Sequence, residues 1–225
     1  MNPASKALIL AAASVCLLCG CSDFRARCTN LYSPDVKIIS YHLKKHYQAV
    51  RSLAERLYAR NPCYEPDPKS RKEKIRAAFG EKSSYPIPYQ LQIMLSHELL
   101  RTAFSPKPPT GDRVLILILG LKRGIDEAYN TGRGPFLTGC QIDAKRLERL
   151  YSNISQTNWR LKTYKGPDGK PLFLTNQPSP DGYVNMGFEV IMTQMLTRIQ
   201  DDIYLRGGLE GNLTFRLSTV FLSIL

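Results

Sequence analysis

The feature that most constrains the fold of this chain is a heptad seam between residues 35 and 60. The first seam position holds Val36, Leu43, Val50 and Leu57, and the second holds Ile39, His46 and Leu53. Side chains seven residues apart fall on one face of a helix. The spacing therefore predicts a long amphipathic helix that packs nearly parallel to other helices. The helix is expected to start at Ser33-Pro34-Asp35 and to end before Asn61-Pro62.

The most apolar stretch follows Asp112, a residue type that caps helices. Val114, Ile118, Leu121 and Ile125 recur at spacings of four, three and four, and the residues between them are also mostly apolar. A helix that is apolar on all sides belongs in the middle of a bundle. A buried strand over Val114–Leu119 is the alternative, because a short apolar run does not by itself distinguish strand from helix.

Further segments show helical spacing and complete the predicted fold. They cover residues 68–79, 89–104, 143–164, 185–205 and 213–225. The first is highly charged and predicts a solvated connector. The second carries a stripe of Leu91, Met94, Leu95 and Leu99 that is expected to be buried. Together these patterns predict an all-α fold, a single compact bundle of about six helices. A small β-hairpin near 160–175 is the alternative to continuing the helix to about Tyr164.

The N-terminus has the organisation of a secretory signal. Lys6 is its only charge, and Ala7–Leu18 is an uncharged run of 12 residues, too short to span a bilayer. The tetrapeptide Leu18-Cys19-Gly20-Cys21 follows. It resembles the lipobox of bacterial lipoproteins, in which an aliphatic residue and two small residues precede the lipidated cysteine. The resemblance implies a signal peptide over 1–20, a lipidated tether over 21–34 and a helical domain over 35–225.

The same resemblance implies a location for the protein. Cys21 would accept a diacylglycerol and hold the chain on a membrane through several acyl chains, each buried methylene contributing about 0.8 kcal/mol. Ser22 follows the cysteine, and in enteric lipoproteins serine at this position favours export to the outer membrane. We therefore expect an outer-membrane lipoprotein that faces the periplasm.

The charge of the chain is strongly positive. Lysine and arginine number 31 against 19 acidic residues, for a net charge of +12, which falls to +11 when the first 20 residues are removed. Such a balance is typical of nucleic-acid binding inside a cell. In the cell envelope, the anions available to a lipidated protein are not nucleic acids. The expected partners are the membrane itself, an anionic lipid or an envelope protein, and not nucleic acid.

Three cysteines remain once Cys21 is used for lipid: Cys28, Cys63 and Cys140. An oxidising compartment favours pairing, but three cannot all pair within the chain. Cys28 and Cys63 flank the first predicted helix, about 39 Å long. Their linkers reach back only about 34 Å together. Cys63–Cys140 is therefore the preferred disulfide.

Two histidine patterns are candidate metal sites. His97-Glu98 is followed by Arg101 where the zinc motif HExxH has its second histidine, and a guanidinium does not ligate zinc. His46 lies on the heptad seam, which favours a hydrogen-bonded core histidine. His42 lies one turn earlier, but nothing in the sequence supplies further ligands. No metal and no cofactor is predicted.

No catalytic residue is predicted either. Asp201, Asp202 and Glu189 are candidate acid–base carboxylates. Adjacent aspartates point about 100° apart on a helix. One is therefore expected to pair with Arg198 or Arg206 and the other to be solvated. The glycine loop around Arg133 lacks the strand and GK[ST] of a phosphate-binding loop.

The leading functional prediction is a non-enzymatic lipoprotein that binds or scaffolds an envelope component. Arg133, Lys165 and Lys170 lie in loops and are the predicted contacts for an anionic surface. Two alternatives stay open. One is an envelope hydrolase with its site between helices, and the other is an accessory subunit of a transport or secretion system.

Overall fold

The protein is all-helical over the part of the chain that can be described. The computed structural model describes residues 34–133, 142–176, 181, 182, 184 and 186–206. Its helices are α1 (Pro34–Arg60), α2 (Pro68–Ala78), α3 (Tyr89–Ile93), α4 (Ser96–Ala103), α5 (Arg113–Tyr129), α6 (Ala144–Thr163) and α7 (Gly187–Tyr204), with a 3₁₀ turn at Thr131–Arg133. The predicted all-α class is confirmed. The signal segment, the tether up to Ser33 and the predicted helix 213–225 lie outside the described residues.

Helix α5 is the centre of the bundle. It packs against α1, α2, α4 and α6, and every side chain from Val114 to Leu119 is buried. Asp112 caps it by accepting a hydrogen bond from the amide of Leu115 at 3.0 Å, as expected. The strand alternative for this stretch was wrong, because all of it lies inside one continuous helix.

The seam of α1 faces this centre. Five of the seven seam residues have no exposed surface, namely Ile39, His46, Val50, Leu53 and Leu57, which confirms the heptad prediction over most of the helix. The other two, Val36 and Leu43, are only partly buried. Helix α1 packs on α5 and α7, while α6 and α7 pack on each other. Two long helices, α1 and α6, thus flank α5, and α7 packs on both of them.

Gly120 allows α4 to cross α5 closely. A Cβ atom added there would lie 2.9 Å from a methyl carbon of Leu100 and 3.0 Å from its backbone nitrogen. Backbone cannot move aside as a side-chain tip can, so only glycine fits this crossing. The small residue in an otherwise apolar helix therefore marks the approach of two helix backbones.

The predicted helix over 89–104 is in fact two helices. Met94 and Leu95 adopt extended backbone, with ψ values of 142° and 157°. Arg123 donates a hydrogen bond to the carbonyl of Met94 at 2.6 Å, and the Glu98 side chain accepts from the amide of Leu95 at 2.9 Å. These bonds satisfy backbone groups that a continuous helix would have paired internally. The break turns Leu95 outward, 56% exposed, so its predicted burial was wrong.

Helix α2 is more than the solvated connector that its charge predicted. Ile75 and Ala78 are buried, and Lys74 is buried between Glu65 and Asp112, each 2.7 Å from its Nζ. Burial disfavours the charge of Lys74, but hydrogen bonds to the two carboxylates outweigh burial and raise its pKa. The ion pairs attach α2 to the start of α5.

Helix α6 ends at Thr163, close to the predicted end near Tyr164. The turn that follows contains an isolated antiparallel bridge between Lys165 and Pro171 rather than the strands of a hairpin. The chain then lies along the end of α1, where Asn61 holds Leu174 by two hydrogen bonds, 2.6 and 3.1 Å long.

Candidate functional site

The described residues form an open polar cleft of about 730 Å³. It lies between the start of α4, the second half of α5 and the first half of α6. Its polar lining consists of Ser96, His97, Asp126, Glu127, Asn130, Arg146, Arg149, Ser152 and Asn153, with Gly124, Ala128, Gly132 and Leu150 as the remaining surface. We call this feature the polar cleft.

The two carboxylates of the polar cleft are already engaged by neighbours. Asp126 accepts hydrogen bonds from the hydroxyl of Tyr47 at 2.6 Å and from Lys122 at 2.5 Å. Burial, and then the hydrogen bond to Asp126, raise the pKa of Tyr47, so its hydroxyl stays protonated and donating. Glu127 accepts from the hydroxyl of Ser96 at 2.5 Å. These bonds orient both carboxylates and offset part of their charge.

Several donors of the polar cleft remain unengaged. The side chains of His97, Arg149 and Asn153 form no hydrogen bond or ion pair with the described part of the chain. Arg146 contributes one long bond, 3.4 Å, to the backbone carbonyl of Glu127. A cavity of this size with free guanidinium, imidazole and amide groups can bind a polar ligand that carries anionic or carbonyl oxygens.

The arrangement does not resemble a hydrolase triad. The hydroxyl of Ser96 donates to a carboxylate, whereas a serine nucleophile is activated by a histidine nitrogen. His97 is exposed and Arg101 lies one turn after it, as the sequence showed. In the described ranges, no group of three or more histidine, cysteine, aspartate or glutamate side chains is placed to hold a metal ion.

A second polar cluster is buried between α1, α5 and α7. His46 Nε2 lies 3.0 Å from the hydroxyl of Tyr129, and that hydroxyl donates to Asp202 Oδ2 at 2.6 Å. Because the hydroxyl proton is used on Asp202, His46 must donate its Nε2 proton to Tyr129. His42 Nδ1 lies 3.1 Å from Asp202 Oδ1 without the alignment of a hydrogen bond, and Arg206 lies 3.7 Å from the same oxygen.

The pKa shifts and the burial of this cluster indicate a structural role. Burial lowers the pKa of His46 to about 3, and the charges of Arg198 and His42 add to that effect. Burial, and then the charge of Asp202, raise the pKa of Tyr129. Both groups are therefore neutral across the ordinary pH range. His46 and Asp202 have no exposed surface, so a substrate has no route to them.

The aspartates behave as predicted. Asp202 is buried beside Arg206, whose Nη1 also donates to the backbone carbonyl of Asp202 at 2.6 Å. Asp201 is exposed on the outer face of α7. Glu189 forms an ion pair with Lys162 of α6. The three carboxylates thus lie apart and do not form an acid–base pair.

Two of the predicted anionic-surface contacts, Lys165 and Lys170, do not line the polar cleft. Lys165 and Lys170 are exposed on the turn after α6, where the Lys170 amide donates to Asp168 at 3.1 Å. Arg133 ends the 3₁₀ turn after α5, and its side chain lies outside the described residues. The role predicted for these three residues stays a prediction.

The predicted disulfide is also untested. Cys63 is exposed, shortly after the end of α1. Its predicted partner, Cys140, lies outside the described residues, as do Cys21 and Cys28.

Sequence reasoning missed the polar cleft, although one signal was present. Arg146, Arg149 and Asn153 recur at spacings of three and four, which places them on one face of α6. Gly120 and Gly124 lie one turn apart on α5 and mark where other helices approach. A polar stripe next to such a crossing indicates a cleft, but only the tertiary packing shows which helices form it.

No protein-family model, curated protein or solved structure matches this chain. Within the described segments, no helix combines the length and the hydrophobicity needed to cross a bilayer. The described residues form an all-helical domain with an open, partly cationic cleft.

Proposed function

We propose that this protein is a lipid-anchored lipoprotein of the bacterial envelope whose helical domain binds an envelope component without catalysing a reaction. The anchor rests on Leu18-Cys19-Gly20-Cys21 after an apolar run of signal-peptide length. The binding role is carried by one observation: Arg149 lines an open cleft and has no acidic partner in the described chain.

The chemistry of the polar cleft supports an anionic or carbonyl-rich ligand. Arginine offers planar, paired donors that match carboxylate and phosphate oxygens. Amide and hydroxyl groups beside it add specificity through hydrogen bonds. Lipid phosphates and acidic segments of envelope proteins both present such oxygens at the location that the anchor implies.

The anchor is tested by Cys21→Ala in the producing bacterium. We expect the wild-type protein to fractionate with membranes, with the outer membrane in particular, and to incorporate a labelled fatty acid. The variant is expected to lose the label. A Cys21→Ala protein that keeps the label, or a wild type that never acquires it, would remove the anchor from the proposal.

The binding role is tested by photo-crosslinking in intact cells. A photoreactive residue at position 153 is expected to capture one envelope component, and Arg149→Glu is expected to abolish the adduct. Lys107→Glu, an equal charge change on an exposed loop outside the cleft, should leave it intact. An adduct unaffected by Arg149→Glu would contradict the cleft as the binding site. Turnover of ester, peptide or glycan substrates by the purified protein would instead favour the enzyme alternative.

A further inference from the structure

The first helix carries an unusual charge pattern. Between Val36 and Ala54 the sequence contains Lys37, Lys44, Lys45 and Arg51 but no aspartate or glutamate. A helix on the surface of a soluble domain ordinarily mixes both signs, because opposite charges at i and i+4 stabilise it. The absence of acids over five turns leaves a field of one sign.

The cations of this stretch share a face with apolar side chains. We call this face the basic face of α1, and it consists of Lys37, Ile38, Tyr41, Lys44, Lys45 and Gln48. Tyr41 is 55% exposed and Ile38 is 39% exposed, while Lys37 and Lys44 are exposed and Lys45 is partly buried. At 1.5 Å per residue, Lys37 and Lys44 lie about 10 Å apart along the helix axis. The seam residues Ile39, His46 and Val50 point the other way, into the core, whereas Leu43 is only partly buried.

The charges of the basic face have no acidic partner in the part of the chain that the structure describes. Lys37, Lys44 and Lys45 form no ion pair with any described residue, and Lys45 instead lies 5.5 Å from the centre of the Tyr41 ring. Other cations are paired: Lys74 with Glu65 and Asp112, and Lys122 with Asp126. The unpaired lysines thus leave a net positive charge at the surface.

A shallow depression of about 380 Å³ borders the basic face. It is lined by Ser40, Leu43, Lys44, Tyr47, Gln48 and Arg51. Its surface is mostly apolar, with Lys44 on one side and Arg51 on the other, and Arg51 is already paired with Glu81. An anionic headgroup near Lys44 would place its adjoining apolar part against Leu43.

We propose that the basic face of α1 lies on the anionic surface of the membrane and orients the domain there. The proposal rests on the proposed function in one respect, since the lipid on Cys21 brings the helix close to the bilayer. Only residues 22–33 separate that cysteine from α1, a reach of at most about 45 Å. No other described helix is so close to the anchor along the chain.

The chemistry of the face fits a lipid surface. Lysines near an anionic leaflet are attracted to it, and tyrosine prefers the headgroup level, where its ring is apolar and its hydroxyl is wet. A basic patch also supplies a second attachment beside an acyl chain. Charge complementarity and the exposed Tyr41 and Ile38 therefore point to the same occupant.

Depth-dependent fluorescence quenching tests the proposal on the full lipidated chain. Trp159 is the only tryptophan, so Trp159→Phe with Tyr41→Trp places one reporter on the basic face. Trp159→Phe with Tyr89→Trp is the matched control, because Tyr89 is highly exposed on α3. Each protein is reconstituted into vesicles of brominated phosphatidylcholine, with or without phosphatidylglycerol, and floated on a density gradient.

In vesicles with phosphatidylglycerol, we expect the reporter at position 41 to be quenched about twofold more than the one at position 89. Without phosphatidylglycerol this difference should be absent, and in about 0.5 M salt it should be smaller. Reversing Lys37, Lys44 and Lys45 to glutamate should remove the difference. Reversing Lys69, Lys72 and Lys82, which are exposed and unpaired on and after α2, changes the net charge equally and should preserve it.

The outcomes separate this proposal from the anchor. Flotation with both vesicle types but equal quenching at 41 and 89 overturns the basic face and leaves the anchor standing. If the protein floats only with vesicles that contain phosphatidylglycerol, and the reporter at position 41 is quenched there, the result supports the basic face and contradicts the lipid anchor. A protein that floats with neither composition overturns both. Circular dichroism of the glutamate variants verifies that the exposed substitutions leave the helices intact.

Discussion

The hydroxyl of Tyr129 donates a 2.6 Å hydrogen bond to Asp202 and accepts one from His46, thereby joining three helices at one atom. Its ring has no exposed surface. A buried carboxylate is stable only when its oxygens have partners. This one hydroxyl therefore fixes how the end of α7 lies against α1 and α5.

Tyr129→Phe should lower the free energy of unfolding by about 1–3 kcal/mol, because it leaves a buried carboxylate oxygen and an imidazole donor without a partner. Urea denaturation followed by circular dichroism measures the change. Tyr204→Phe removes a hydroxyl from an exposed ring on the same helix as Asp202 and should leave stability unchanged. Equal stability of the two variants would show that the cluster does not stabilise the fold.

The free energy of unfolding should decrease as the pH falls below about 6.5, the pKa of an unfolded histidine. Burial lowers the pKa of His46 to about 3, against about 6.5 for an unfolded histidine. Between these values the unfolded chain binds a proton at this site that the folded chain does not. Unfolding thus becomes easier on acidification, by up to about 1.4 kcal/mol per pH unit, and the effect ends below about pH 3.

His46→Gln should reduce this pH dependence, since glutamine can still donate to Tyr129 but does not titrate. The measurement is the free energy of unfolding at several pH values between 4 and 7. His97→Gln is the control, because that ring is exposed. A pH slope that His46→Gln leaves as steep as in the wild type would contradict the assignment.

Lys74→Met should destabilise the protein by about 3 kcal/mol, because it leaves the buried Asp112 carboxylate without its cation. Arg76→Met removes a neighbouring cation whose ion pair with Glu73 is exposed, and should cost less than about 1 kcal/mol. Thermal denaturation of the two variants compares them directly. Similar losses from both would mean that burial of Lys74 contributes nothing beyond a surface ion pair.

Gly120→Ala should destabilise the protein by about 1–2 kcal/mol, since the new methyl group meets the Leu100 backbone at 3.0 Å and alanine's helix preference offsets only part of the strain. Gly111→Ala is the matched control, because nothing lies within 4 Å of a Cβ atom there. The same denaturation experiment applies. A Gly120→Ala protein at least as stable as the wild type would refute the close crossing of α4 and α5.

The periodicity of the sequence was sufficient for most of the helices and for some of their ends. The seam of α1, the central place of α5 and the capping role of Asp112 were all predicted, because helix formation depends on residues within one or two turns. The break at Met94 was not predicted. It depends on Arg123, which lies 29 residues further along the chain.

The candidate site could likewise be predicted from the sequence only in part. The sequence placed His46 on a buried face and one of two aspartates beside an arginine, both from local spacing. It did not pair His46 with Tyr129, which lies 83 residues away, nor identify the cleft that α4, α5 and α6 form around Arg149. Contacts between residues so distant in the chain leave no periodic signal.

Most of the described helices, the basic charge and the lipobox-like tetrapeptide could be read from the sequence, since each is a property of neighbouring residues or of composition. The tertiary structure alone decided which polar groups are paired and which are free. Lys74 lies buried between two carboxylates, whereas Lys37 and Arg149 are exposed and have no partner among the described residues. Desolvation and pairing depend on what packs around a charge, and the identity of the residue does not reveal that.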